Sequence, residues 1–161
     1  QIITVLLEQS QKVKFTYVPF KGGGEVCTNL VGKHVDSTVN NPAECVSNWK
    51  AKRVRPLAVF DPEKIPDKEW NGIPTVKEAL GADISYNMLR GIFGPPAMPK
   101  DAVEWYVGYL KKIFDTQDFQ DYLHKGALKA AFATGSEYVK WVEENDKLHK
   151  QLMDKGGLTK K

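Results

Sequence analysis

Apolar and polar positions along this chain follow two rhythms. Residues 2–10, IITVLLEQS, are strongly apolar and read as the end of a buried helix. VKFTYVP then alternates and carries Val, Phe, Thr and Tyr, so Val13–Val18 predicts a strand that Pro19 ends. Three glycines follow. Beyond them Val26, Leu30 and Val31 fall at helical spacing, and Gly32 supplies a stop. VDSTV predicts a second short strand. NNPAECVSNWKAKR opens with an asparagine cap and a proline in the first turn, a strong helix start. RPLAVF predicts a third strand, apolar on both sides as a covered parallel strand is.

The next segment, DPEKIPDKEWNGIPTVKEALGAD, is rich in proline and charge. It predicts a surface loop ending in a short helix from about Thr75 to Leu80. Ile84–Phe93 is an extended run closed by Gly94, Pro95 and Pro96. From there the rhythm is helical. Val103, Tyr106, Val107, Leu110 and Ile113 share one face. A second helix has Thr116 as its cap and Gly126 as its stop. A third begins near Thr134, with Tyr138, Trp141, Val142, Leu148 and Leu152 as its apolar face, and ends at Gly156. Strand, glycine loop, helix, strand, Asn-Pro loop, helix, strand: this order predicts an α/β lobe with a parallel sheet wrapped by helices. A helical half follows, with the boundary near residues 84–96.

The bulk numbers narrow the classes. The chain has 161 residues and is 42% apolar, enough for a real core. Its 23 basic and 20 acidic residues are interspersed and leave a net charge of +3, with no basic face for nucleic acid. No apolar run approaches the ~20 residues of a membrane span. Two cysteines and three histidines match no zinc spacing, and no cofactor motif is present. The chain opens at Gln1, inside a predicted helix, without a signal-type segment. Such a segment has been removed, or the chain is a piece of something longer.

Two loops carry the candidate chemistry. Lys21, Gly22, Gly23 and Gly24 lie between a predicted strand and a helix N-terminus. Bare N–H groups and the positive end of the helix dipole favour a carboxylate or phosphate there. Neither the P-loop nor the G-x-G-x-x-G pattern fits, and a plain tight turn is the competing reading. Asn40, Asn41 and Pro42 occupy the corresponding place after the next strand, and ligands in open α/β sheets bind outside strand carboxyl ends. An ordinary asparagine cap explains the same residues. Other constellations are weaker. Cys27 and His34 could share a helix face as a thiol pair, without an orienting acid or oxyanion hole. A Cys27–Cys45 disulfide is geometrically possible, but two unlinked small core residues are the expectation. His124 and His149 are expected on polar faces near helix ends. Glu143, Glu144 and Asp146 read as a solvated face.

Several segments, in order, resemble the Bug-type (TctC-like) extracytoplasmic solute receptors of tripartite tricarboxylate transporters. Val18–Gly22 is similar to their Val-Pro-Tyr/Phe-Lys-Gly run, and Leu30–Asp36 to Leu-x-Gly-Gly-x-Val-Asp. Pro42–Glu44 matches a Pro-Ala helix start, and Lys50–Val59 a Lys-Ala-Gly-Lys-hydrophobic-Arg-Pro/Ala-Leu-Ala-Val strand. IPTVKEAL and GIFGPPAMPKDAVEWY resemble two further segments, so the match runs from about Phe15 to Leu152. Gly32-Lys33 stands in place of Gly-Gly, and Ala51-Lys52 lacks the usual glycine.

The resemblance implies the second lobe of a type II periplasmic binding protein, with the first lobe missing. Residues 1–85 would be the ligand-binding lobe. Residues 86–161 would be a hinge strand and C-terminal helices that pack on the first lobe. It implies a periplasmic receptor, not an enzyme, that binds a small di- or tricarboxylate, amino acid or aromatic acid and delivers it to membrane permease subunits. The expected contacts are Lys21, Gly22, Gly23, Gly24, Asn40, Asn41 and Ala43, mostly through backbone N–H groups. No catalytic residue, metal or cofactor is expected. A homodimer through the surface left uncovered by the missing lobe is a further expectation. The alternatives are an α/β-class enzyme using Cys27 and a truncated, non-binding interaction module.

Overall fold

The computed structural model describes residues 1–159. Seven helices occur among them: α1 (Ile2–Gln11), α2 (Gly23–Val31), α3 (Pro42–Lys50), α4 (Val76–Leu80), α5 (Lys100–Phe114), α6 (Gln117–Lys125) and α7 (Gly135–Lys155). Their ends follow local chemistry. Asn41 precedes α3 with Pro42 at the first helical position, where the missing N–H costs nothing. Thr75 and Glu78 cap α4 reciprocally: the Glu78 N–H donates to Thr75 Oγ1 (3.1 Å) and the Thr75 N–H to the Glu78 carboxylate (2.9 Å). The Thr75 N–H, with Lys64 beside it, holds the Glu78 carboxyl below its ordinary range. Gly81, at φ 66°, closes the same helix. Thr116 accepts from the Phe119 N–H (3.3 Å) at the start of α6, and Gly126 ends it.

The chain divides into two compact units. One is Gln1–Asn87 together with His149–Lys161, and the other is Met88–Leu148. In the first, the expected strands are extended but do not form ladders. Among the described residues the only sheet pairing is a single parallel bridge, Val59 to Thr75. Around it the Val59 N–H donates to the Pro74 carbonyl (2.9 Å), the Val76 N–H to the Val59 carbonyl (3.0 Å), and the Tyr86 N–H to the Phe60 carbonyl (2.9 Å). Alternation in Val13–Val18 sets which way side chains point, but a ladder also needs a neighbouring strand at about 4.8 Å. Among the described residues no strand pairs with this segment, and Val13, Phe15, Tyr17 and Val18 stay exposed. Leu57 is exposed too, so the third predicted strand is not covered on both faces.

The core sits where a surface loop was expected. Trp70, Ile73, Thr75, Val76 and Ala82 are buried, and all belong to residues 61–83. Trp70 packs on Trp49 with ring centroids 4.7 Å apart, which ties this segment to α3. Trp70, Ile73, Val76 and Ala82 anchor a segment that is otherwise rich in prolines and charges.

The apolar face of α7 is also shifted from expectation. Leu148 is exposed, while His149 turns inward and its Nε2 lies 2.7 Å from the Tyr86 hydroxyl. His149 is four residues after Asn145 and three before the buried Leu152, which is core spacing on a helix. Lys33 and Lys52, where the resembled family carries glycines, adopt φ 59° and 58°. That left-handed conformation explains the family's preference for glycine at these two positions.

Candidate functional site

The two candidate loops meet. The Asn40 side-chain amide donates to the Gly23 carbonyl at 3.1 Å, which brings the start of α2 against the start of α3. The carboxylate of Glu44 lies between them. It accepts from the Asn41 N–H (2.9 Å), from Asn41 Nδ2 (2.9 Å) and from Asn40 Nδ2 (3.2 Å). Asn40 Oδ1 is buried there without a hydrogen-bond partner.

This geometry explains one of the three glycines. A Cβ built on Gly23 would fall inside the Glu44 carboxylate, so a side chain there would push Glu44 off its asparagine donors. Gly22 and Gly24 have open space where a Cβ would be. Gly22 is the N-cap of α2 and has no side chain to satisfy the first N–H groups. Those amides have no intrahelical acceptor. The remaining expected contacts lie at the rim. The Lys21 N–H donates to the Glu25 carboxylate (3.1 Å), and its side chain is exposed. Ala43 is exposed in the first turn of α3. Reading the sequence for ligand contacts missed Glu44. Its signal was the three-residue spacing from Asn41, the capping-box interval.

A covalent bond fixes the arrangement. Cys27 and Cys45 form a disulfide with their Cα atoms 5.8 Å apart, joining α2 to α3. This overturns the expectation of two unlinked thiols. Both cysteines face the same helix–helix contact within the first turns of adjacent helices, which puts them inside bonding range. Cys27 is 1% exposed, and Asn48 Nδ2 donates to its sulfur at 3.4 Å. A bonded, buried Cys27 cannot act as the thiolate nucleophile of an α/β enzyme.

Two concavities lie in the first unit. One of about 660 Å³ is lined by Ile2, Ile3, Val39, Tyr86, Met153 and Leu158 among others, and Val39 adjoins Asn40 in sequence. The other, about 340 Å³, is lined by Trp49, Lys50, Lys52 and Glu69. Neither is lined by the glycine loop. Among the described residues no group of three or more His, Cys, Asp or Glu is placed to hold a metal, and no helix is long and apolar enough to cross a membrane.

The architecture is that of a periplasmic-binding-protein-like receptor. It superposes on a structure described as R. palustris Rpa4515 with adipate, at TM-score 0.87 and 19% identity, covering 97% of this chain and 52% of that one. The chain belongs to the tripartite tricarboxylate transporter family receptors (TctC), whose family model matches residues 1–158. That is a family of solute-binding receptors, not of enzymes. Among curated proteins it is 27% identical over 154 residues to the UPF0065 protein in the gbd 5'region of Cupriavidus necator, covering 96% of this chain and 46% of that protein. It is also 27% identical over 132 residues to the UPF0065 protein in the tcbD-tcbE intergenic region of Pseudomonas sp. (strain P51), covering 81% and 38%. The chain thus spans less than half the length of these curated relatives.

Proposed function

We propose that this chain carries the ligand-binding lobe of a periplasmic receptor that takes up a small organic acid and delivers it to the membrane permease of a tripartite transporter. A carboxylate of the ligand sits against the first-turn amides of α2, at Gly22, Gly23 and Gly24, with Asn40, Asn41, Ala43 and Lys21 around it. The observation that carries this reading is the convergence of the two loops, where Asn40 joins the Gly23 carbonyl and a carboxylate, that of Glu44, rests on the asparagine donors. A spot that holds an internal carboxylate by N–H groups alone has the chemistry to hold an external one. The adipate of the structural neighbour is an acid of the right kind, although the likeness is one of fold. The disulfide fits an oxidising, extracytoplasmic compartment.

In this reading residues 1–85 form the second lobe and residues 86–161 the hinge strand and C-terminal helices that pack on a first lobe. The segments at 13–18, 35–39 and 56–60 are extended without ladders among the described residues, and in this reading they hold the strand positions of a type II binding-protein sheet. The test is a thermal-shift series with adipate, citrate, malate, glutamate, nicotinate and terephthalate. At least one acid raises Tm saturably, as RT ln(1 + [L]/Kd) requires, and is recovered unchanged. In ¹H–¹⁵N spectra the same acid moves the Gly23 and Gly24 amides. Saturable binding that leaves those amides unmoved would sink the site assignment, and no binding at all would sink the receptor reading for this lobe.

A second reading has one observation in its favour. Trp105, Tyr106 and Tyr109 on α5 are exposed, with Trp105 and Tyr109 stacked at 5.2 Å. An aromatic face of this kind suits a homodimer. Light scattering at high concentration decides it, and a clean monomer counts against the dimer.

A further inference from the structure

The disulfide and the candidate ligand loop share the same two helices. Cys27 lies four residues into α2 from Gly23, and Cys45 immediately follows Glu44 in α3. The bond therefore joins the two helices one turn below the place where the Gly23 carbonyl, the Asn40 amide and the Glu44 carboxylate meet. The noncovalent links at that place are few: one bond from Asn40 to Gly23, and the approach of Glu44 to the bare Gly23 Cα. The rest of the Glu44 network, to Asn40 and Asn41, stays on the α3 side and does not bind the two helices together.

We propose that the Cys27–Cys45 disulfide is the positioning element of the ligand loop, and that its reduction lowers the affinity of the loop for a carboxylate. This rests on the ligand reading above. With the bond in place, sliding and tilting of α2 on α3 are restricted, so the Gly22–Gly24 amides hold one orientation relative to the Asn40–Asn41 loop. Without it, the Asn40–Gly23 hydrogen bond at the mouth, the Asn48–Cys27 contact a turn below and helix packing are what hold α2 on α3, and the loop samples orientations in which those amides diverge. Apparent affinity falls by the fraction of time spent in register, so a loop in register about a tenth of the time binds about tenfold more weakly.

The chemistry of release is fixed by exposure. A dithiol reductant attacks the half-buried Cys45, because Cys27 is 1% exposed. A bond forms between the reductant sulfur and Cys45 Sγ, and the Cys27–Cys45 bond breaks. Cys27 leaves as a thiolate beside the Asn48 side-chain amide, which already donates to that sulfur, and takes up a proton. The reductant's second thiolate then displaces Cys45, which is protonated in turn. Two electrons and two protons pass to the protein, and the dithiol becomes a cyclic disulfide.

The experiment compares the 161-residue chain oxidised, the same chain reduced by dithiothreitol, and a Cys27→Ala/Cys45→Ala variant. All are held well below their melting temperatures so that each is folded. Two readouts are taken: hydrogen exchange of the Gly23, Gly24 and Asn41 amides, with α7 amides as control, and binding of adipate by calorimetry. Exchange at the loop about tenfold faster, with α7 unchanged, and adipate binding about tenfold weaker are the results expected. Should the variant fail to fold, the reduced parent alone decides. Faster loop exchange in a chain that binds adipate in neither state upholds the positioning role and rejects the ligand reading. Unchanged loop exchange, or faster exchange everywhere with adipate affinity unmoved, reduces the disulfide to a plain structural cross-link and overturns the proposal.

Discussion

The two compact units solve the problem of burial differently. Every buried residue among those described — Cys27, Trp70, Ile73, Thr75, Val76, Ala82 and Leu152 — lies in the first unit. The second contains the clearest amphipathic helices of the chain and none of these buried residues. Its Ile92 and Phe93 are 71% and 68% exposed, and Trp105 is 62% exposed. Well-formed local structure is thus not the same as a core. Capped helices can form from local signals with an apolar face left open, whereas burial needs anchors from distant parts of the chain.

The largest test of this contrast is a matched pair of tryptophans. Trp70 is 6% exposed and packed on Trp49, so Trp70→Ala removes a core side chain and leaves a cavity. We expect a loss of about 3–5 kcal/mol. Trp105→Ala removes a similar volume from an exposed face and is expected to cost less than about 1 kcal/mol. Urea unfolding followed by circular dichroism measures both, since fluorescence would change with the tryptophan itself. Equal losses would mean that the α5 aromatics are covered in solution, which would favour the dimer.

A smaller effect separates neighbouring glycines. Gly24→Ala places a methyl in open space on a helix and is expected to stabilise by about 0.5–1 kcal/mol. Gly23→Ala gains the same propensity but displaces the Glu44 carboxylate from the asparagine donors, a capping loss of about 1 kcal/mol. The two variants should therefore differ by about 1 kcal/mol in chemical denaturation. If they behave alike, Glu44 does not hold its place between the loops.

The legible parts of the molecule were those with a cause within four residues. Asn41 and Pro42 announced α3, Thr75 and Gly81 bounded α4, and Thr116 and Gly126 bounded α6. The meeting of the glycine and asparagine loops was also foreseeable, because both follow predicted strands and precede helices. What was not legible is non-local. Val13–Val18 alternates like a strand, but its ladder depends on a neighbour that alternation does not reveal. Residues 61–83 look like a loop by composition, and only Trp49, some twenty residues earlier, shows why Trp70 is buried. The disulfide belongs to the same class, since spacing permits the bond without requiring it. Glu44 was within reach of a local argument. Its three-residue spacing from Asn41 is the capping-box interval, and its carboxylate accepts from that residue's N–H and Nδ2.

Left-handed residues provide the finest comparison: the first unit holds three lysines of this kind, Lys12, Lys33 and Lys52, and the second two alanines. Lys33 and Lys52 in the first unit have φ 59° and 58°, and Ala97 and Ala127 in the second have φ 59° and 49°. For a residue with a Cβ this conformation costs about 1–2 kcal/mol, while glycine takes it freely. Glycine also gains freedom in the unfolded chain, which offsets about 0.4–1 kcal/mol of the relief. Strain of this sort persists only where the surroundings over-determine the backbone. Lys33 follows the Gly32 stop of α2, where its N–H donates to the Leu30 carbonyl at 3.1 Å and the His34 N–H to the Asn29 carbonyl at 2.9 Å. Lys33→Gly and Lys52→Gly are therefore expected to stabilise by about 0.5 kcal/mol each. In the second unit, which lacks a buried core, Ala97 can relax out of the strained conformation, so Ala97→Gly should be neutral or slightly destabilising. Thermal unfolding of the four single variants, with Ala127→Gly as the fourth, measures the difference. A gain in the second unit as large as in the first would show that its backbone is held as firmly as that of the first, and that exposure of its side chains is a poor guide to its rigidity.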